Sequence, residues 1–440
     1  MVVQLIYLLC AVLFMIAIYS LSSPNTARNG NFLAIFSMFV SIATCLSVDV
    51  NLNSLAIYIT ILCGIFVGCR AGHEVKMTEL PQMVALLNGL GGLSSALIVL
   101  SEIYSMKGGS LISVISIIIG LITFSGSIVA YAKLKNYLKY NLTAVKWLNL
   151  IFLGLVVYFA YHYLMTDSLL NLLIISSVLL GISMTIPVGG ADMPVVISVL
   201  NSFSGCAVAF VGLAVNDLLL IITGTLIGSS GAILSFIMTK AMNRSILKVL
   251  WPTHSFDVNI KSSMLESVKI GTPSEIAFLL SNSNKVIIVP GFGMAASQAQ
   301  NSLKNLMDIL IKKYNVEVKF AIHPVAGRMP GHMNVLLAEA KIPYENVFEM
   351  ADINNEFSTT DVSYVIGAND VVNPVAKSDV NSPLFGMPIL EVEKSRTVVV
   401  VKRSMAQGYA GVDNPLFFAS NTIMLFGDAN KVTEEISKDL

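Results

Sequence analysis

A series of long apolar windows fills the first half of this chain and constrains its fold more than any other feature. Windows of roughly 17 to 23 residues, long enough to cross a hydrocarbon core about 30 Å thick as a helix, begin near Gln4, Phe32, Ser54, Met83, Ser110, Trp147, Ser168, Pro194 and Asp217. Charged residues make up only 12% of the 440, against about 25% in soluble proteins. We therefore predict a transmembrane domain of about nine helices over residues 1–240.

The lysines and arginines between these windows predict how the chain is oriented. One side would carry only Lys107, whereas the opposite side would carry Arg28, Arg70, Lys76, Lys133, Lys135, Lys139, Lys146, Lys240, Arg244 and Lys248. Positive residues concentrate in the short loops on the cytoplasmic side of a membrane. We therefore expect the amino terminus outside and the carboxy-terminal part in the cytoplasm or an equivalent compartment.

A few polar residues inside the predicted spans have two interpretations. Asn88 stands among glycines in ALLNGLGGLSSAL, and Ser127 lies in TFSGSIVA. Small residues allow helices to pack closely, whereas polar side chains at membrane depth also mark ion or proton paths. Close packing is the favoured interpretation of both segments, and more strongly of GTLIGSSG, which carries Gly224, Gly228 and Gly231.

Two more candidates for a proton path lie in GGADMPVVISVLNSFSG. Asp192 precedes Pro194, so it can either cap the next helix or serve a proton path, and the sequence favours neither. Asn201 follows Asp192 by about two and a half helical turns, so the two side chains would not face one point on a continuous helix. A polar pathway is favoured at Asn201, because an Asn in mid-span needs a partner or water.

The pattern changes after the last window, and a linker over 241–271 leads to a second domain over 272–440. Thr272-Pro-Ser-Glu275 is typical of a capped helix start. From Lys285 onward, apolar runs such as VIIV, VSYVIG and RTVVVVK alternate with helical stretches. This alternation predicts an α/β Rossmann-like domain, a doubly wound parallel sheet covered by helices.

The stretch KVIIVPGFGMAASQAQ carries a Gly-x-Gly-x-x-Ala motif between a strand and a helix, the context of a dinucleotide site. Gly291 would permit the tight turn, Gly293 would let the backbone approach a pyrophosphate, and Ala296 would let the helix pack on the strand. An NAD site usually has an acid after the second strand, but that strand ends here in AIHP. Lys402, Arg403 and Ser404 end the fifth strand instead and suit a 2′-phosphate, which favours NADP over a merely solvated strand end.

Several further loops follow strands and should meet at the same sheet edge, where ligands bind in such folds. The spacing of the five cysteines indicates no metal site. The candidate cofactor-binding residues are Gly291, Phe292, Gly293, Met294, Ala295, Ala296, Val325, Ala326, Gly327, Arg328, Met329, Pro330, Gly367, Ala368, Asn369, Asp370, Lys402, Arg403, Ser404, Gly408, Tyr409, Ala410, Gly427, Asp428 and Ala429.

The whole chain resembles the β subunits of proton-translocating NAD(P) transhydrogenases. The resemblance rests on VPGFGMAASQAQ, HPVAGRMPGHMNVLLAEA, GANDVVNP, GMPILEV, KRSMAQGYAGVDNPLFF and MLFGDA in the second domain, and on MTELPQMVALLNG, TFSGSIVA, GGADMPVV and GSSGAIL in the first. It implies that this chain binds NADP(H) and exchanges hydride with NAD(H) held by an α subunit while one proton crosses a bacterial inner membrane. It also implies two copies of each subunit and the sheet order 3-2-1-4-5-6.

The resemblance further implies roles for single residues. Gly291, Gly293 and Ala296 would meet the pyrophosphate, and Lys402, Arg403 and Ser404 the 2′-phosphate. Tyr409 would lie in a lid, and Asp370 near the nicotinamide as a candidate coupling residue. Some relatives have a histidine at the position of Asn88. The asparagine of this chain can order water, but unlike histidine it cannot titrate. The alternative function is an NADP-sensing domain on a non-enzymatic transporter or channel, which the sequence alone does not exclude.

Overall fold

The computed structural model describes residues 2–21, 24–48, 55–75, 79–106, 109–135, 137–138, 145–189, 192–242, 245–250, 268–328, 331–380, 382, 384–408 and 410–440. Three predicted site residues, Met329, Pro330 and Tyr409, lie outside these ranges, as does most of the predicted linker.

Every predicted apolar window corresponds to a helix. The helices of the first half are α1 (Val2–Ser20), α2 (Pro24–Val48), α3 (Leu55–Glu74), α4 (Leu80–Met106), α5 (Leu111–Leu134), α6 (Val145–Thr166), α7 (Leu170–Thr185), α8 (Met193–Ala214), α9 (Leu218–Ala241) and the short α10 (Ile246–Leu250). Among the described residues, 8 helices are long and apolar enough to cross a membrane. The window near Ser168 is the exception, because α7 has only 16 residues.

Helix α7 nevertheless runs beside α5 in the same direction. A Cβ on Gly181 would lie 2.5 Å from the Ile122 carbonyl oxygen, and one on Gly126 would lie 2.9 Å from the Thr185 hydroxyl. At the carboxyl ends of both helices, Lys133 Nζ donates to the carbonyl of Val188 at 2.8 Å. At about 1.5 Å per residue α7 spans roughly 24 Å, which is shorter than its neighbours.

Glycines bring α8 and α9 into backbone contact. A Cβ on Gly205 would lie 2.2 Å from Gly228 N, and one on Gly224 would lie 2.4 Å from Ala209 N. Ser202 Oγ donates to the Gly228 carbonyl at 2.8 Å across the same seam. The packing interpretation of GTLIGSSG is confirmed, since only residues without a Cβ allow this approach.

The second half forms a six-stranded sheet, and all of its strand pairs are parallel. Its strands are β1 (Lys285–Pro290), β2 (Glu317–Ile322), β3 (Val347–Glu349), β4 (Val362–Ile366), β5 (Thr397–Lys402) and β6 (Thr422–Phe426). The order β3-β2-β1-β4-β5-β6 confirms the order that the resemblance implies. Strands β1, β4 and β5 are buried almost throughout, as expected when both faces are covered.

Helices and short turns complete this domain. The helices are α11 (Pro273–Ser281), α12 (Phe292–Ala296), α13 (Gln300–Tyr314), α14 (His332–Glu339), α15 (Met350–Ile353), α16 (Val375–Ser378) and α17 (Ala429–Asp439). The predicted cap of α11 is confirmed, because Thr272 Oγ1 accepts a hydrogen bond from Glu275 N at 3.3 Å.

The helix after the Gly-x-Gly motif differs from the prediction, since it is interrupted. Helix α12 ends at Ala296, and α13 begins only at Gln300. Gln298 between them has a φ of 54°, in the left-handed region. Ser297 Oγ donates back to the Gly293 carbonyl at 2.8 Å, a local bond that competes with helix continuation.

The α8–α9 seam predicts that Gly205→Ala destabilises the membrane domain. The new methyl group has no room beside Gly228, so the helices must separate, at a cost of about 1–3 kcal/mol. The thermal unfolding midpoint of the detergent-solubilised protein should fall. Gly154→Ala on α6 is the matched control, because among the described residues no atom beyond its own helix backbone and chain neighbours lies within 4 Å of its Cβ position. Equal midpoints for the two variants would contradict the role of the seam.

Candidate functional site

A cavity of about 460 Å³ opens at the carboxyl edge of the sheet, above β1 and β4. The strand order reverses between these two strands: β2 and β3 are added on one side of β1, whereas β4, β5 and β6 are added on the other. Crevices at such reversals are where open α/β sheets bind ligands. The volume lies within the range of about 300–1,000 Å³ that is usual for small-molecule sites.

The structure brings most of the predicted cofactor-binding residues to this cavity. Those that line it are Gly291, Phe292, Gly293, Ala296, Val325, Ala326, Gly327, Gly367, Ala368, Asn369, Asp370, Lys402, Arg403, Ser404, Gly408, Ala410, Gly427 and Ala429. Four predicted residues do not: Met294 and Ala295 are buried in the core, while Arg328 and Asp428 contact other groups.

Seven other residues of the cavity wall were not predicted, namely Met242, Val371, Leu384, Met387, Val401, Ala406 and Gln407. Ala406 and Gln407 lie in the loop after β5, one of the loops that follow strands and were expected at this sheet edge. No local signal pointed to Met242, which follows α9 and reaches the cavity only through the packing of the membrane helices against the sheet domain.

The two glycines of the motif allow the loop after β1 to touch the loop after β4. A Cβ on Gly291 would lie 2.4 Å from the Gly367 carbonyl oxygen, and one on Gly293 would lie 2.6 Å from Gly367 Cα. Gly291 has an extended backbone, with a φ of −130°, so space rather than a left-handed turn requires glycine there. The N–H groups of Gly291 and Gly293 donate to the carbonyls of Ile366 and Gly367, both at 2.9 Å.

Lys402 and Arg403 line the cavity where β5 ends, and both have partners within the protein. Lys402 Nζ donates to the Ala406 carbonyl at 2.7 Å and lies 4.5 Å from the centre of the Phe417 ring. Burial lowers the pKa of Lys402, against the opposing charge of Asp370. Arg403 pairs with Asp428 at 2.9 Å, but its side chain is 64% exposed. An incoming anion could therefore replace Asp428 beside Arg403 at small cost.

Asp370 holds the loop after β5 over the cavity. Its Oδ2 accepts a hydrogen bond from Ala410 N at 3.0 Å. Gly408 passes so close that a Cβ there would lie 2.3 Å from Asp370 Oδ1. With its amide oxygen turned toward Lys402, Asn369 accepts from Gly408 N at 2.7 Å and from Lys402 Nζ at 3.2 Å. The loops after β4 and β5 therefore form one polar rim.

His323 fixes the loop after β2 and was not singled out by the sequence. It follows β2 directly and is 1% exposed. Val325 N donates to its Nδ1 at 3.2 Å, so Nε2 carries the proton and donates to the Pro388 carbonyl at 2.8 Å. Burial lowers the pKa of His323 to about 4.

His332, at the start of α14, performs a similar task on the same loop. Its Nδ1 accepts a hydrogen bond from Arg328 N at 3.0 Å. Burial, assisted by the charge of Arg328, lowers its pKa to about 4. Gly327 has a φ of 102°, and a Cβ there would lie 2.7 Å from His332 Nδ1. Both histidines therefore shape this loop as neutral imidazoles.

The candidate proton-path residues lie among α4, α5 and α8. Asn88 is buried and its Nδ2 donates to the Ile197 carbonyl on α8 at 3.2 Å. Ser127 is fully buried, and its Oγ has no hydrogen-bond partner among the described residues. Asn201 is half-buried and follows Ile197 by one helical turn, which places it on the face of α8 toward α4. These three residues therefore share one region of the bundle.

Asp192 does not cap α8, although it occupies the position before the helix. Its φ of −90° and ψ of −7° are helical, and its side chain makes no capping hydrogen bond. A capping residue normally has an extended backbone, so that its side chain can turn back to the first N–H groups. Of its two interpretations, the cap is therefore wrong.

In the described part of the chain, no three His, Cys, Asp or Glu side chains are arranged to hold a metal ion. The cavity instead offers backbone, small apolar side chains, two cations and the Asp370 carboxylate. Such a lining fits an anionic small-molecule ligand better than a metal ion.

The two neutral histidines predict a loss of stability on mild acidification. The unfolded chain takes up protons near the ordinary pKa of 6.5, whereas the folded protein resists until about pH 4. The unfolded state then binds more protons, so the free energy of unfolding falls as the pH drops through this window. For His323 we expect a loss of about 2 kcal/mol by pH 5.

Thermal unfolding of the solubilised protein from pH 7 to pH 5 measures this effect. A variant with His323→Asn and His332→Asn should be less stable at pH 7 and should show a shallower dependence on pH. An unchanged pH dependence in that variant would contradict the assignment of neutral histidines.

Matches to known proteins extend over both halves of the chain. The family described as NAD(P) transhydrogenase beta subunit matches residues 3–439. The NAD(P) transhydrogenase subunit beta of Rhodospirillum rubrum is 46% identical over 452 residues, covering 98% of this chain and 97% of that protein. A second sequence of that name, from a defined strain of the same species, matches equally well. The chain belongs to the NAD(P) transhydrogenase beta subunit family.

Proposed function

We propose that this chain is the NADP(H)-binding subunit of a proton-translocating, Re/Si-specific NAD(P) transhydrogenase. Hydride passes directly between NADP(H) on this chain and NAD(H) on an α subunit, and inward proton movement drives the formation of NADPH. The observation that supports this function best is the cavity at the strand-order reversal, which has Lys402 and Arg403 at its end and lies on a chain with 8 long apolar helices.

The residues at the cavity fit NADP(H). Lys402, Arg403 and Ser404 would hold the 2′-phosphate, because two cations and a hydroxyl match its charge and oxygens. The end of β2 favours NADP in another way. The residue there is His323, which is engaged with Pro388, so no carboxylate stands where NAD sites hold the ribose 2′-hydroxyl.

The pyrophosphate would lie along the loop after β1. Since the N–H groups of Gly291 and Gly293 already donate to carbonyls at the end of β4 and just after it, these glycines would contribute close approach rather than hydrogen bonds. Val325, Ala326 and Gly327 line the facing wall. Asp370 would lie near the nicotinamide end, where its bond to Ala410 N couples that end to the loop after β5.

Hydride transfer requires little acid–base catalysis by protein side chains. The nicotinamide supplies the hydride chemistry, while the protein holds two rings in contact and excludes water. In this chain the loop after β5 would exclude water, since Asp370 and Asn369 hold it against the cavity rim. The second ring would come from the NAD(H)-binding α subunit, and we propose an assembly of two α and two β chains.

Proton movement is assigned to the helical half, proposed as residues 1–240, with 241–271 as linker and 272–440 as the NADP(H) domain. The basic loops favour a cytoplasmic NADP(H) domain on a bacterial inner membrane. The route would pass Asn88, Ser127, Asp192 and Asn201. A potential of 100 mV supplies about 2.3 kcal/mol per proton, roughly 50-fold in an equilibrium constant, which is enough to set the direction of a nearly isoenergetic hydride exchange.

The first experiment measures reduction of an NAD analogue by NADPH in membranes that contain both chains. We expect turnover with the wild-type chain, and Arg403→Ala should weaken NADPH binding by about 10- to 100-fold through loss of a charge-assisted contact. Arg396→Ala, which removes an exposed arginine before β5, is the matched control and should bind NADPH normally.

Binding of NADP without any turnover would defeat the enzyme proposal and favour the NADP-sensing domain on a transporter or channel. Equal affinity for NADPH in the Arg403→Ala and Arg396→Ala variants would remove Lys402 to Ser404 as the 2′-phosphate site.

The second experiment addresses the proton route. Asn88→Ala breaks the bond to the Ile197 carbonyl and removes a side chain that orders water, so proton uptake per hydride in proteoliposomes should fall at least about fivefold. Asn149→Ala on α6 is the matched control, because Asn149 is also buried but lies on a helix outside the group α4, α5 and α8. Unchanged coupling in Asn88→Ala would take Asn88 out of the route.

A further inference from the structure

Arg328 joins the sheet domain to a membrane helix. Its Nη1 donates to the Leu134 carbonyl at 2.9 Å, and Leu134 is the last residue of α5. Between described residues, this is the hydrogen bond that connects the first ten helices with the sheet domain. A carbonyl at a helix carboxyl end carries partial negative charge, so a guanidinium is a favourable partner for it.

On the other side, Arg328 rests against the cavity wall. Its guanidinium carbon lies 4.1 Å from the centre of the Phe292 ring, a cation–π contact. Phe292 lines the cavity, and so does Gly327, the neighbour of Arg328 in the chain. The guanidinium therefore contacts a residue of the cavity wall that a bound nucleotide would touch.

The described residues that lead from β2 to Arg328 are held by two histidines. Arg328 N is bonded to His332 Nδ1, and Gly327 packs on the same imidazole. The buried His323 holds the preceding residues through Val325 N. A shift of Phe292 or Gly327 would consequently reach the guanidinium through the ring contact and the adjoining backbone.

Beyond Leu134, the contacts continue into the region of the polar membrane residues. Lys133 donates to the carbonyls of Ile186 and Val188, in the segment that leads from α7 to Asp192 and α8. Helix α5 also carries Ser127, and α8 receives the Asn88 hydrogen bond at Ile197. Movement of the end of α5 would therefore reach both helices that flank Asn88.

We propose that Arg328 is a positioning residue for proton coupling, which acts by holding the carboxyl end of α5 in a place that depends on the occupant of the cavity. The proposal rests on the proposed function, and it assigns Arg328 to the contact with α5 rather than to the nucleotide. Linkage requires the effect to be mutual, so the state of α5 also alters the affinity of the cavity for NADP(H).

The test uses the purified complex of both subunits in proteoliposomes, with Arg328→Gln and Arg328→Lys. Three quantities are measured: NADP⁺ binding, hydride transfer with an ionophore present, and proton uptake per hydride. In Arg328→Gln we expect NADP⁺ affinity within about threefold of wild type and hydride transfer retained with the ionophore, but proton uptake per hydride at least about fivefold lower. In Arg328→Lys, proton uptake per hydride should be restored only in part. The lysine ammonium keeps the charge, but it lacks the planar guanidinium that stacks on a ring while its N–H groups donate to a carbonyl.

Arg396→Gln is the matched control, since it makes the same change at an exposed site before β5, and it should leave all three quantities unchanged. Two results would overturn the proposal: full coupling in Arg328→Gln, or a loss of NADP⁺ affinity of tenfold or more at normal coupling, which would make Arg328 a ligand contact. Absence of NADP⁺ binding or turnover in the wild-type complex would instead refute the proposed function, and the two failures are therefore distinguishable.

Discussion

The contact between the loop after β1 and the loop after β4 is the constraint on which the cavity depends. Gly293 and Gly367 approach until a Cβ on Gly293 would lie 2.6 Å from Gly367 Cα, and each motif glycine donates its N–H across this contact. The contact joins these two loops at the point where the strand order reverses, at the base of the cavity. Any larger side chain would push β1 and β4 apart, and with them the loops that form the cavity wall.

The polar groups around the cavity differ in how firmly they are held, and this difference follows from burial. Arg403 is mostly exposed, and its pair with Asp428 contributes little stability, so it is available to an anionic ligand. His323 and His332 are buried and engaged on both sides of the loop after β2. Residues 323–328 of that loop are thus held in place, whereas Arg403 can exchange its partner.

Much of this organisation could be predicted from the chain alone. Apolar windows located the helices of the first half, and alternating runs located the sheet, its class and the edge where the site lies. Eighteen predicted residues line the cavity together with seven that were missed, among them Met242 and Leu384. The predictions failed where a local contact replaced the expected one: Ser297 and Gln298 interrupt the helix after the motif, and Asp192 adopts helical torsions that prevent capping.

The sequence by itself therefore determined the two halves, the parallel sheet and the loops that meet at its edge, because hydropathy and the order of strand, loop and helix are local properties. Only the tertiary structure decided which atoms meet across those loops. Arg328 reads from sequence as a ligand residue, yet its guanidinium bonds to Leu134, 194 positions away. The direction of that side chain depends on how α5 packs against the sheet domain. The residues next to Arg328 in the chain carry no pattern from which such a long-range contact could be predicted.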